Sequence, residues 1–174
     1  SRALPELAAT TKVDALGSTA YWDTATGEAI TGCHRSKANE IAIGGGVSSA
    51  NLACSGASIA DGLLGPQLRD GRLIPPQLAT AQRATDASVV IVNVGANDVG
   101  WSLMVGYCTV APRCDDKATT AFFQQQLASF SKDYLQLLSQ LAILPGHPRV
   151  IINQYYNPFG PEQSCLRPAG LTPA

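Results

Sequence analysis

The sequence predicts an α/β domain, a parallel sheet with helices on both faces in three α/β/α layers, formed by one domain over residues 1–174. Three observations carry this. Ala87–Val94 and Arg149–Gln154 are short, mostly apolar and rich in β-branched residues, the pattern of strands buried on both faces. Between them, Phe123, Leu127, Phe130, Tyr134, Leu137 and Leu141 recur at alternating spacings of four and three, which draws a single apolar stripe along a helix. Finally, 45% of residues are hydrophobic and only 14% charged, enough apolar surface for a real core.

The elements follow in chain order. Lys12–Leu16 is expected as a short strand, followed by Gly17. Residues 18–33 are rich in Ser, Thr, Gly and Asp and read as turns. Ser36–Ile43 fits a short helix stopped by Gly44-Gly45-Gly46. Asn51–Cys54 reads as a strand ending at Ser55-Gly56, and Ser58 as the cap of a helix through Leu64. Pro75-Pro76 opens a helix to about Ala84, since proline is tolerated in a first turn. The strand at Ala87–Val94 runs into Gly95-Ala96-Asn97-Asp98. A long helix over Thr119–Leu141 ends at Pro145-Gly146, and the strand Arg149–Gln154 follows. Strands alternating with helices imply a parallel sheet, whose sites form beyond the carboxyl ends of the strands. Three polar turns fall there: Gly17-Ser18, Ser55-Gly56 and Gly95–Asp98.

Composition excludes several functions. The net charge is -1 and no Lys/Arg cluster occurs, so there is no electrostatic footprint for nucleic acid or an anionic membrane. No apolar run reaches bilayer-spanning length. The first residue, Ser1, is not Met, which fits a processed or trimmed product. Of five cysteines none forms a Cys-x-x-Cys pair, and only His34 and His147 could assist them, so a zinc site is poorly supported. The cysteines read either as disulfides of an oxidising compartment or as free buried thiols. No Gly-x-Ser-x-Gly elbow occurs, Gly44–Gly46 lacks the rest of a nucleotide loop, and no cofactor is implied.

Two turns carry the chemistry. Gly95-Ala96-Asn97-Asp98 sets an Asn amide at the carboxyl edge of a buried strand, where it can donate to a developing oxyanion. An ordinary Asx turn explains the same residues. Gly56 offers a backbone N–H to the same crevice and allows close approach of a substrate. A strand-to-helix turn needing glycine explains it equally.

Together these blocks resemble the SGNH (GDSL-like) hydrolase family. Cys33-His34-Arg35-Ser36, then Asn51-Leu52-Ala53-Cys54-Ser55-Gly56-Ala57, then Val92-Asn93-Val94-Gly95-Ala96-Asn97-Asp98-Val99-Gly100 are similar, in order and spacing, to successive blocks of its secreted bacterial esterases and lipases. The resemblance covers nearly the whole chain. It implies a flavodoxin-like sheet, here without its C-terminal part, and hydrolysis of carboxylic esters through an acylated serine. Lipids, acylated sugars and small esters would be its substrates. It further implies Gly56 and Asn97 as oxyanion donors, the pairings Cys33–Cys54 and Cys108–Cys114 with Cys165 left over, and secretion.

The chain departs from the family at both ends of the catalytic set. In place of Gly-Asp-Ser it has Gly17-Ser18-Thr19, so Ser18 is a shifted nucleophile, a residue lying beyond a gap, or a plain turn serine. No Asp-x-x-His block follows Tyr155-Tyr156-Asn157-Pro158-Phe159. His34 and His147 fall outside the base position, and Asp61 and Asp98 read as turn or cap residues. A serine without a base is a weak nucleophile, so the polypeptide as it stands is expected to be inactive. The alternative is a non-catalytic SGNH-like binding module that lacks nucleophile and base.

Overall fold

The computed structural model describes residues 5–7, 32–35, 50–111, 116–153 and 155. Its main sheet has four parallel strands: β1 (Pro5–Leu7), β2 (Ala50–Asn51), β5 (Val89–Val92) and β6 (Arg149–Ile152). They lie in the order β2-β1-β5-β6. Glu6 pairs with Asn51 on one side and Ile91 on the other, while Val90 pairs with Val150 and Val92 with Ile152. The expected parallel sheet is therefore present. Its first strand is Pro5–Leu7 rather than the expected Lys12–Leu16, which lies outside the described residues, as do the helix expected at Ser36–Ile43 and Gly44–Gly46.

One face of the sheet is sealed and the other is not. Val90 and Val92 are buried, and they share a cluster with Leu137, Leu141 and Leu144, against which Val150 and Ile152 pack. These come from one face of β5 and β6 and from the last turns of a long helix, α3 (Lys117–Ala142). Val89 and Ile91 are only half-buried, and Ile151 is 36% exposed. Burial on both faces, expected for both strands, is thus a correction: β6 ends the sheet order, and its alternate residues face outward. The apolar stripe of α3 behaves similarly. Leu137 and Leu141 are buried, Phe130 and Tyr134 are partly buried, and Leu127 is 40% exposed. Asp116 caps this helix, its Oδ1 accepting from the Thr119 N–H at 2.8 Å.

Three local expectations change. Ser58–Leu64 is not a helix. It is a wide coil in which the N–H groups of Leu63, Leu64 and Gly65 reach five residues back, to the carbonyls of Ser58, Ile59 and Ala60. Gly62 sits at φ +119°, far from helical dihedrals, and interrupts the segment, while the Ile59 N–H donates to Asp98 Oδ1 at 2.7 Å. A hairpin, β3 (Gln67–Arg69) and β4 (Arg72–Ile74), follows. Asp70 and Gly71 form its turn, both at positive φ, as a two-residue hairpin loop requires. The helix expected from Pro76 is shorter, α1 (Gln77–Ala81). A further helix, α2 (Trp101–Val110), stands directly after the Gly95–Gly100 turn.

Candidate active site

β1 lies between β2 and β5, and the chain crosses from one side of it to the other. The carboxyl end of β1 is therefore the point where the strand order reverses, the place where open parallel sheets form their crevice. The turn after β2 flanks it on one side and the turn after β5 on the other.

The first turn is built by short-range bonding and a disulfide. The Ala57 N–H donates to Cys54 O at 3.0 Å, with Gly56 at φ +76°, a position that needs glycine. Gly56 itself is exposed. Beneath it, Cys54 is bonded to Cys33, as the resemblance implied, and the Ser55 N–H donates to Cys33 O at 2.9 Å. Arg35 Nε donates to Ala53 O at 2.7 Å. Ser55 is buried, with its Oγ 3.2 Å from His34 Nδ1, and its carbonyl accepts from Gln67 Nε2 at 2.9 Å.

The second turn is tied to the first. Asn97 Nδ2 donates to Ala57 O at 2.8 Å, so the side-chain amide is held beside the residue that follows Gly56. Asp98 anchors the turn from below: its Oδ2 accepts from the Gly95 N–H at 3.1 Å and its Oδ1 from the Ile59 N–H. Burial pushes the Asp98 carboxyl above the usual carboxylate range, against these two backbone donors, which pull it down. Gly95 has φ +123°, and a Cβ there would lie 3.6 Å from the Phe130 ring and 4.0 Å from that of Tyr155. The N-terminal half of α3 thereby backs the turn, again at Gly100 through Phe122.

The bond from Asn97 Nδ2 to Ala57 O thus sets the Asn97 side chain beside the turn that carries Gly56. Ser18 lies outside the described residues. His34 serves the Ser55 turn, and His147 lies at the amino end of β6, far from the crevice edge of that strand. Cys108 is disulfide-bonded, while Cys114 and Cys165 lie outside the described residues. Sequence reasoning missed Gln67 and Arg69, which stand beside Gly56 on the hairpin. The Asp70-Gly71 pair, flanked by apolar residues, was the signal for it. Among the described residues no group of three or more His, Cys, Asp or Glu side chains could hold a metal. No described helix is long and apolar enough to cross a membrane.

Fold and edge together define a parallel α/β protein whose turns after β2 and β5 are tied together beside its switch point. Two solved structures share this fold. An extracellular lipase from Streptomyces rimosus aligns over 97% of this chain and 69% of its own, with a TM-score of 0.64 and 17% identity. A phospholipase A1 from Streptomyces albidoflavus NA297 aligns over 98% and 71%, with a TM-score of 0.60 and 16% identity. At these identities the likeness is one of fold. No protein-family model and no curated protein matches the chain.

Proposed function

We propose that the chain belongs to a secreted serine ester hydrolase of SGNH type, with a three-layer α/β/α fold. Ser18 is its nucleophile, and the Gly56 N–H and the Asn97 amide receive the oxyanion. One observation supports the reading: the bond from Asn97 Nδ2 to Ala57 O, which ties that amide to the residue after Gly56. An oxyanion needs donors about 2.7–3.1 Å away, so two donors serving it must be neighbours. Asn97 Nδ2 has a second hydrogen for that purpose after bonding Ala57 O. The fold shared with a lipase and a phospholipase supports ester substrates, lipid or small. The Cys33–Cys54 disulfide supports an oxidising, extracellular setting.

In such a reaction the serine hydroxyl adds to the ester carbonyl and loses its proton to a base. The alcohol leaves, and water releases the acid from the acyl-enzyme. By the family resemblance neither His34 nor His147 holds the base position in the sequence, and a serine without a base is a weak nucleophile, so the 174-residue polypeptide is expected to turn over esters at background rate. A binding module without turnover is the second reading, supported by the absence of Gly-Asp-Ser and Asp-x-x-His blocks from this sequence. The deciding experiment follows hydrolysis of p-nitrophenyl butyrate by this polypeptide and by a parent carrying an Asp-x-x-His block. Activity in the parent, lost on Ser18→Ala, supports the esterase. A parent that binds esters but never turns them over supports the module.

A further inference from the structure

Gln67 and Arg69 alternate along β3 and so point to one side of the hairpin, the side that faces Gly56. A Cβ built on Gly56 would lie 3.6 Å from Gln67 Nε2 and 3.8 Å from Arg69 Nη1. Gln67 is 7% exposed and commits Nε2 to Ser55 O, which fixes the strand against the turn. Arg69 is half-buried. Its Nη2 donates to Gly32 O at 3.0 Å, while its Nε is buried without an acceptor. Among the described residues no carboxylate pairs with this guanidinium. An anion entering beside Gly56 would meet Nη1 of this guanidinium with a charge-assisted bond. The way in is the groove between hairpin and turn, lined by Gly56, Asp61, Gln67, Leu68, Arg69 and Leu73. Asp61 is its other charge, and it is exposed, where solvent screens it more than the guanidinium beside Gly56.

We propose that Arg69 is a specificity-determining residue that makes the groove prefer esters bearing an anionic group, a carboxylate or a phosphate, over neutral ones. This rests on the ester-hydrolase reading for the ester, whereas capture of the anion needs no turnover. The test titrates the ¹⁵N-labelled 174-residue protein with monomethyl succinate, methyl phosphate and methyl butyrate, following the Gly56 amide and the Arg69 Nε–H. At least one anionic probe binds about tenfold more tightly than methyl butyrate. Arg69→Gln removes that advantage, Arg69→Lys keeps part of it, and Asp61→Asn enlarges it. An advantage confined to monomethyl succinate assigns the anion to a carboxylate-bearing ester, and one confined to methyl phosphate assigns it to a phosphate-bearing one. Equal binding of all three probes overturns the proposal, as does an anion preference that survives Arg69→Gln. Should Arg69→Gln fail to fold, the preference of Arg69→Lys decides, an undiminished preference being the adverse result. The two readings fail separately. Anion capture through Arg69 in a protein whose parent hydrolyses no ester would sink only the hydrolase. Equal hydrolysis of neutral and anionic esters, indifferent to Arg69, would sink only the preference.

Discussion

At the scale of single residues, the neighbouring Asn97 and Asp98 have separable tasks. Asn97 links the two turns by one hydrogen bond from an exposed side chain, so its loss should cost stability only about 1 kcal/mol. If it also donates to the oxyanion, Asn97→Ala in a catalytically complete parent lowers kcat by roughly 10²–10³ with little change in KM. A fall in KM affinity with unchanged kcat would instead make it a substrate-positioning residue. Asp98 shows the opposite balance. Its carboxylate satisfies two backbone N–H groups from different segments, and Asp98→Ala should cost about 2–6 kcal/mol, since each orphaned buried donor costs about 1–3 kcal/mol. Chemical denaturation of the purified variant measures this. A loss under 1 kcal/mol would mean that water replaces the carboxylate.

Elements differ in how far the sequence announces them. α3 is legible because its apolar residues from Phe123 to Leu141 keep helical spacing over about five turns, and Asp116 caps it in the structure. Tyr107 Oη also donates to Asp116 Oδ2 at 3.0 Å. The bond from the Thr119 N–H, then that from Tyr107, hold the Asp116 carboxyl below its ordinary range. A depressed carboxyl stabilises the fold above its unfolded value, and the contribution vanishes as pH falls through the folded value. Asp116→Asn should therefore lower Tm at pH 7, and the gap to the unaltered protein should close in acid. A gap that persists at low pH would assign the effect to helix propensity instead. α2 escaped notice for a physical reason. Trp101–Val110 has no charged residue and no buried one, so no polar face alternates with an apolar one and there is no period to detect. The coil at Ser58–Leu64 was misread because Gly62 takes φ +119°, a conformation that glycine permits but a sequence pattern does not announce. The strand at Val89–Val92 and the turn after it were legible because both depend on neighbours in sequence. The approach of Arg69 to Gly56 was not, since it depends on how a hairpin folds back.

For the molecule as a whole, one buried cluster and the Cys33–Cys54 tie hold the described sheet and its first turn. Leu137 is fully buried within the cluster that joins α3 to the sheet, and Leu137→Ala should cost about 2–5 kcal/mol. The Cys33–Cys54 bond spans a sequence separation of 21, for which loop-closure entropy gives about 3 kcal/mol. Replacing both cysteines by alanine should remove that amount in urea titration. A smaller loss would show that the hydrogen bond from Ser55 to Cys33 already holds the segment. The order β2-β1-β5-β6 also has a consequence during synthesis. β1 is the first of these strands to leave the ribosome, yet it occupies an interior position whose second neighbour, Val89–Val92, emerges much later. At roughly 5–20 residues per second the wait is on the order of ten seconds. Through that interval the nascent chain holds an unmatched strand edge, so its yield should depend on chaperone supply and translation speed more than its equilibrium stability would suggest.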